Sequence, residues 1–209
     1  MKKVFVSSAV ALALSCGVLV AEESGIFIGV GAGYSQSEVK ISGALGEAKD
    51  KVSGLSYEVL LGYKQFFTPK FGLRYYANFA SANQEESRSE KLKANVMNYG
   101  LNIDALYNFV ARDSANLGVF VGVGVGYNTW SGSAIDAYKS VAQAINEKMD
   151  KSSIDCALNV GLRTAFAKHH GIEVVAKVPF MQTTLFDARG VKVTAEQHYN
   201  VGARYILSF

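Results

Sequence analysis

Proline and tryptophan are scarce in this 209-residue chain, with two copies and one, and cysteine is limited to Cys16 and Cys156. Two cysteines, one of them near the N-terminus, offer neither a disulfide framework nor a zinc site. Metal and redox chemistry therefore have little to work with, and no cofactor is expected. A dominant charge is lacking too: 21 Lys plus Arg stand against 18 Asp plus Glu, a net +3. Such a balance gives no support for nucleic-acid binding, which needs a basic face or stripe. Beyond residue 21 there is no apolar run of 18 residues, so a helical membrane span is excluded. What the chain does have is 20 Gly, 12 Phe and 11 Tyr, a mixture suited to many strands.

Residues 1–21 read as a secretory signal. Lys2 and Lys3 make a basic start, an apolar stretch follows, and Ala21 precedes Glu22 and Glu23, so cleavage is expected after Ala21. Cys16 offers a lipoprotein alternative, but the run ALSC lacks the leucine expected three residues before a lipidated cysteine. With that segment removed, Lys2 and Lys3 go with it and the chain is closer still to neutral. Cys156 is then left without an intramolecular partner. Residues 22–209 remain as one domain, beyond the inner membrane.

Within that domain, segments of 9–13 residues alternate with period two, the length and pattern of tilted transmembrane strands. They are GIFIGVGAGY (25–34), LSYEVLLGYK (55–64), FGLRYYANF (71–79), MNYGLNIDALYN (97–108), LGVFVGVGVGYN (117–128), IDCALNVGLRTAF (154–166), GIEVVAKVPF (171–180) and HYNVGARYILSF (198–209). In each, one face is aliphatic and aromatic while the other holds glycine, asparagine and isolated charges. The connections run long, short, long, short, long, short, long: 35–54, 65–70, 80–96, 109–116, 129–153, 167–170 and 181–197. This is the plan of an all-β, eight-stranded antiparallel transmembrane β-barrel with long loops outside, short turns in the periplasm and both termini periplasmic. A soluble eight-stranded barrel is the rival. Against it, the second face of the fifth segment is Gly118, Phe120, Gly122, Gly124 and Gly126, with no charge to solvate an outer wall. Aromatics near segment ends, among them Tyr34, Tyr63, Phe79, Tyr107, Tyr127 and Phe180, suit an interfacial girdle.

The lumen face carries the candidate functional residues. Glu58, Lys64, Arg74, Asp104, Asp155, Arg163, Glu173, Lys177 and Arg204 all fall on it. Eight strands leave an interior just wide enough for side chains, and charges there must pair. Glu58 with Arg74, and Arg163 with Glu173, lie on neighbouring segments. An internal ion-pair plug is expected from Glu58, Arg74, Asp104, Arg163, Glu173, Lys177 and Arg204, in preference to a conducting filter. The last segment, with Tyr199, Val201, Ala203, Tyr205 and Leu207 on one face and closing on Phe209, has the form of an assembly signal. An edge strand can be read by backbone pairing plus pockets for alternate side chains.

Catalysis finds few residues. His169 and His170 sit in the tightest turn and His198 near the outer rim, none beside a convincing serine and carboxylate. The strings GVGAG and GVGVG lack the Lys-Ser/Thr ending of a phosphate loop. AIDAYKSVAQAINEKM (134–149) breaks the strand period: Ile135, Tyr138, Ala142, Ile145 and Met149 recur at helical spacing, predicting a short amphipathic helix in the third outer loop. It would serve as a lid or a binding face. Arg88, Lys91, Lys93, Lys148, Lys151, Arg189 and Lys192, in the outer loops, are of the right charge for lipopolysaccharide phosphates, though mixed loop charges are usually only solvated.

Several blocks, FGLRYYANF, YGLNIDALYNF, GVFVGVGVGYNTW and above all NVGLRTAFAKHHGIEVVAKVPF, resemble the Helicobacter outer membrane protein family. Together with the strand ending on Phe209 they cover most of residues 66–209. The resemblance implies an outer-membrane barrel, assembled by the barrel machinery into lipid and lipopolysaccharide, among relatives that include adhesins and porin-like proteins. The long cysteine-containing extracellular domain of the large adhesins is replaced here by residues 35–54, so no receptor-binding residue carries over. The expected role is non-enzymatic: structural or surface-interaction through the outer loops, with a host-surface ligand unidentified. A narrow channel is the alternative and an outer-leaflet lipid-modifying enzyme a distant one.

Overall fold

A computed structural model of the protein describes residues 22–43, 46–86, 89–112, 115–144, 148–188 and 190–209, without the side chains of residues 86, 89–92, 141 and 144. The expected signal (1–21), Arg88, Arg189 and Ile145 lie outside the described residues, as does the side chain of Lys91.

The strands are β1 (Gly25–Gly43), β2 (Gly46–Phe66), β3 (Phe71–Glu86), β4 (Ser89–Ala111), β5 (Ala115–Ser131), β6 (Ser152–Phe166), β7 (His170–Pro179), β8 (Gln182–Ala188) and β9 (Val191–Ser208), with helix α1 (Ser133–Ala144) between β5 and β6. Each pairs antiparallel with its neighbour, and β1 closes onto β9 from Phe27↔Ser208 to Ser42↔Lys192. β7 and β8 both pair with β9, below and above a break at Phe180 and Met181. They make one stave, so nine strands build an eight-staved closed barrel. The break follows Pro179, which has no N–H to donate to a ladder; Phe180 N–H resumes it by donating to Cys156 O at 3.0 Å.

A wide band of the outer wall is apolar. Ile26, Ile28, Val30, Val59, Leu61, Leu101, Val123, Val125, Leu162 and Val174 are each exposed by 40 % or more. From Tyr99 to Tyr107 on β4 there are eight strand steps of about 3.4 Å, foreshortened by a tilt of about 40°; they span about 21 Å, close to the roughly 25 Å band of membrane barrels. A groove of about 630 Å³ lined by Ile28, Val30, Val59, Leu61, Ala77 and Leu207 lies on this outer face and belongs to the belt. At the end carrying the termini the connections are short: Thr68 Oγ1 accepts Phe71 N–H at 2.9 Å in the β2–β3 turn. The β6–β7 turn, residues 167–169, closes on the pair Phe166↔His170 and puts Ala167 and Lys168 in the left-handed region at φ 48° and 64°.

The expected long loops are a correction. Residues 35–54 and 80–96 are mostly strand, continuing the β1–β2 and β3–β4 ladders to Gly43↔Gly46 and Glu86↔Ser89. Residues 181–197 hold β8 and the start of β9. The reason is physical: beyond the belt the two faces exchange character. The outer side becomes Gln36, Glu38, Lys40, Glu47 and Lys49, while the inner side becomes an apolar core of Val39, Ala82, Val96, Trp130, Ile135, Ala142, Leu185, Phe186, Val193 and Ala195. A search for an apolar outer face stops where that face ends.

Helix α1 supplies Ile135 and Ala142 to this core, both fully buried, so it caps the barrel mouth as a lid. Its entry is pinned by Ser133 Oγ, which accepts Lys93 N–H at 3.0 Å, and Lys151 Nζ pairs with Asp136 at 3.0 Å. Trp130, the sole tryptophan, is 1 % exposed and donates to Thr183 Oγ1 at 3.1 Å. Emission from the folded protein is therefore expected to be blue-shifted. Ile135→Asp, which puts a charge into the cap, is expected to red-shift it while the barrel keeps its heat-resistant gel mobility. Unchanged emission would contradict the lid packing.

Candidate functional site: a filled lumen

Inward side chains of the belt region come from alternate residues of all eight staves, and the register decides which can meet. Arg74 on β3 stands directly opposite Asp104 on β4. Its Nε donates to Asp104 Oδ2 at 2.8 Å and its Nη1 to Glu173 Oε1 on β7 at 2.5 Å, across the lumen. The guanidinium lies 4.4 Å from the Phe120 ring centre, the cation–π distance that helps hold a desolvated cation. Arg204 on β9 forks onto Glu58 on β2: Nε reaches Oε1 at 2.5 Å and Nη2 reaches Oε2 at 3.0 Å.

That second pair is joined across an intervening strand. Gly31 on β1 lies in register with Glu58 on one side and Arg204 on the other. A Cβ there would stand 2.8 Å from Glu58 Oε1 and 3.1 Å from Arg204 Cγ. The missing side chain is what lets the two neighbours close over β1. Gly122 on β5 does the same between Asp104 and Asn159, where a Cβ would overlap Asp104 Oδ1. These glycines are thus clearances for the network.

The seven residues expected to plug the lumen all point into it; one expected pairing is corrected and the other is present but loose. Glu58 does not meet Arg74. Its register partner on β3 is Ala80, while Arg74 faces Lys64, six strand steps or about 20 Å away along the strand. Arg163 and Glu173 are in register, yet the approach is loose, 3.9 Å from Nε to Oε1, because Glu173 turns to Arg74. Lys177 makes no ion pair within 4 Å among the described residues; its ammonium donates to Asn98 Oδ1 at 3.1 Å.

Two parts of the network were not anticipated. One is an asparagine relay: Asn98 donates to Asn128 at 2.7 Å, Asn78 to Asn98 at 3.1 Å, Asn102 to Asn78 at 2.7 Å, and Asn159 to Asn102 at 3.0 Å. Asn159 also donates to Asp104 at 3.4 Å, linking relay and ion pairs. The signal for the relay in the sequence is asparagine at inward positions 78, 98, 102, 128 and 159. The other is Glu22, ahead of β1, buried among Arg163, Lys64 and Asn108. Arg163 Nη2 reaches its Oε1 at 2.6 Å and Nη1 its Oε2 at 2.8 Å, and Lys64 Nζ its Oε1 at 2.7 Å.

The spaces left at two points of this network are small. The cavity beside Glu22, Lys64, Arg74 and Arg163 measures about 10 Å³, and so does that beside Glu58 and Asn200, room for no more than one water each. The histidines do other work: His169 Nδ1 lies 2.9 Å from Ser208 O and His170 Nδ1 2.5 Å from Tyr205 Oη, while His198 Nε2 is 3.7 Å from Glu38. None of these contacts joins a histidine to a serine hydroxyl. Several outer-wall charges of the strand extensions pair with one another: Lys40 with Glu47, Lys93 with Glu85 and Lys192 with Asp187.

Burial opposes ionisation of Glu22, but Arg163 and Lys64 outweigh it and lower its carboxyl to about 2. A carboxyl depressed by folding stabilises above its unfolded value and loses that contribution as pH falls through the folded one. The gap in unfolding midpoint between the wild-type protein and Glu22→Gln is therefore expected to be constant above about 4.5 and to narrow toward pH 2. A gap independent of pH down to 2 would contradict the clamp.

The sequence model described as Helicobacter outer membrane protein matches residues 58–209. No curated protein matches the chain. Among solved structures it is similar to Neisserial surface protein A, at 15 % identity and TM-score 0.46 over 90 % of this chain and 100 % of that one. It is also similar to OprG of Pseudomonas aeruginosa, at 16 % and 0.46 over 90 % and 99 %. The attachment invasion locus protein Ail of Yersinia pestis follows at 18 % and 0.34 over 87 % and 98 %.

Proposed function

This chain belongs to the Helicobacter outer membrane protein family, and from that premise we propose that it is a non-conducting outer-membrane barrel whose far end serves as a surface platform. One observation supports the reading: among the described residues, buried side chains meet across the lumen at successive heights, in the clamp on Glu22, the ion pairs and asparagine relay above it, and the apolar cap under α1. Such a wall leaves a solute no wet path. What it does present is a rigid, polar collar of strand extensions from β1, β2, β3, β4, β8 and β9.

In this reading the short-turn end and both termini face the periplasm, and the collar stands outside the cell, where contacts with a structural partner or a host-surface ligand would be made. Paired charges on the collar argue for shape and hydrogen bonding over broad attraction to lipopolysaccharide phosphates, since neutralised pairs project little field. The belt meets lipid. The outward row Tyr199, Val201, Ala203, Tyr205, Leu207 and Phe209, with Phe209 67 % exposed, is proposed as the face read by the assembly machinery while β9 is still an edge. The role is non-enzymatic.

Protein purified from outer membranes and inserted into planar bilayers is expected to give no unitary conductance while remaining heat-modifiable on gels. Reproducible steps that vanish when the protein is omitted would overturn the proposal and support the narrow channel.

A further inference from the structure

Glu22 differs from every other carboxylate of the lumen network described above: it comes from outside the strands. Its partners sit on three separate staves, Lys64 on β2, Asn108 on β4 and Arg163 on β6, and each is 8 % exposed or less. Their arrangement has support independent of Glu22. Asn108 Oδ1 accepts from Arg163 Nη1 at 2.8 Å, Asn108 N–H donates to Lys70 O at 2.8 Å, and the Arg163 guanidinium lies 5.7 Å from the Phe66 ring centre. The neighbouring charges are already engaged, Arg74 with Asp104 and Glu173, and Arg204 with Glu58. Without the Glu22 side chain, two buried cations would face a cleft in which the next carboxylate oxygen is Glu173 Oε1, 3.9 Å from Arg163 Nε. Arg163 Nε itself has no hydrogen-bond partner.

A forked guanidinium plus an ammonium and an amide N–H, converging on one planar group, is the donor set that carboxylates select. We infer that the strands build a carboxylate-binding site at the terminus end of the lumen and that Glu22 is its tethered occupant. A tethered carboxylate competes at a high effective concentration, so the resting protein is closed to free ones. When the Glu22 side chain is absent, a small monocarboxylate such as formate or acetate fills the same cradle. The site is distinct from the collar, and the inference stands whether or not the barrel conducts.

The test uses the full chain, purified from outer membranes, with formate as probe. Glu22→Ala is expected to lower the midpoint of the heat-dependent gel shift at neutral pH. Sodium formate should raise it saturably toward the wild-type value, and sodium chloride at equal ionic strength should not. Wild type should not respond to formate, and Glu22→Ala combined with Arg163→Gln should lose the rescue. If Glu22→Ala does not assemble unaided, refolding yield from urea in the two salts replaces the midpoint; formate-dependent yield supports the site. Equal behaviour in formate and chloride, or a formate shift that is the same in wild type and survives Arg163→Gln, would overturn the inference.

Discussion

Closing eight staves into a barrel leaves an interior only as wide as the side chains that fill it, and a charge placed there has no water to fall back on. Everything else in the belt follows from that constraint. Arg74, Asp104, Glu173 and Arg204 are buried and Glu58 is half-buried, and each finds an opposite charge in register, over a glycine or across the lumen. Removing one partner of such a buried pair typically costs about 3–5 kcal/mol, since the other is left unpaired. The glycines at 31 and 122 are therefore as much a part of the network as the charges. Bulk at either would push the partners apart.

The barrel changes its solvent logic along its axis. Within the belt, lipid takes the apolar face and the lumen is polar. In the collar, water takes the outer face and the interior becomes an apolar core around Trp130 and Ile135. The same strands run through both regimes, so the inward residues of β1 pass from Gly31 and Ser35 to Val39. A membrane barrel and a small soluble-type barrel are stacked end to end, with α1 as the seal of the second.

Much of this was legible in the sequence. The eight alternating segments, the helix after the fifth segment and the inward set of charges all follow from period two, period 3.6 and barrel width, whereas the expected alternation of long and short connections does not survive, because the strands run on through 35–54, 80–96 and 181–197. The collar was not legible because an apolar outer face ends with the belt: SEVKIS keeps the alternation while inverting its polarity, and AEQHYN contains an irregularity at His198 where the register with β1 shifts. Pair identities were not legible because neighbouring strands say nothing of height: Glu58 and Arg74 are on adjacent staves but about 20 Å apart along them. Register is set by the turns and by the whole closure. Glu22 was hidden for a different reason, lying ahead of the first strand, where no period assigns it a face.

The lumen network rests on specific charge pairs that glycine allows to meet. A double-mutant cycle on Glu58 and Arg204, Glu58→Gln and Arg204→Met singly and together, measured by urea unfolding in lipid vesicles, tests it most directly. The account predicts a coupling energy of about 1.5 kcal/mol or more, as close charge pairs give. Additive effects, with coupling near zero, would show that the two side chains act independently and would contradict it.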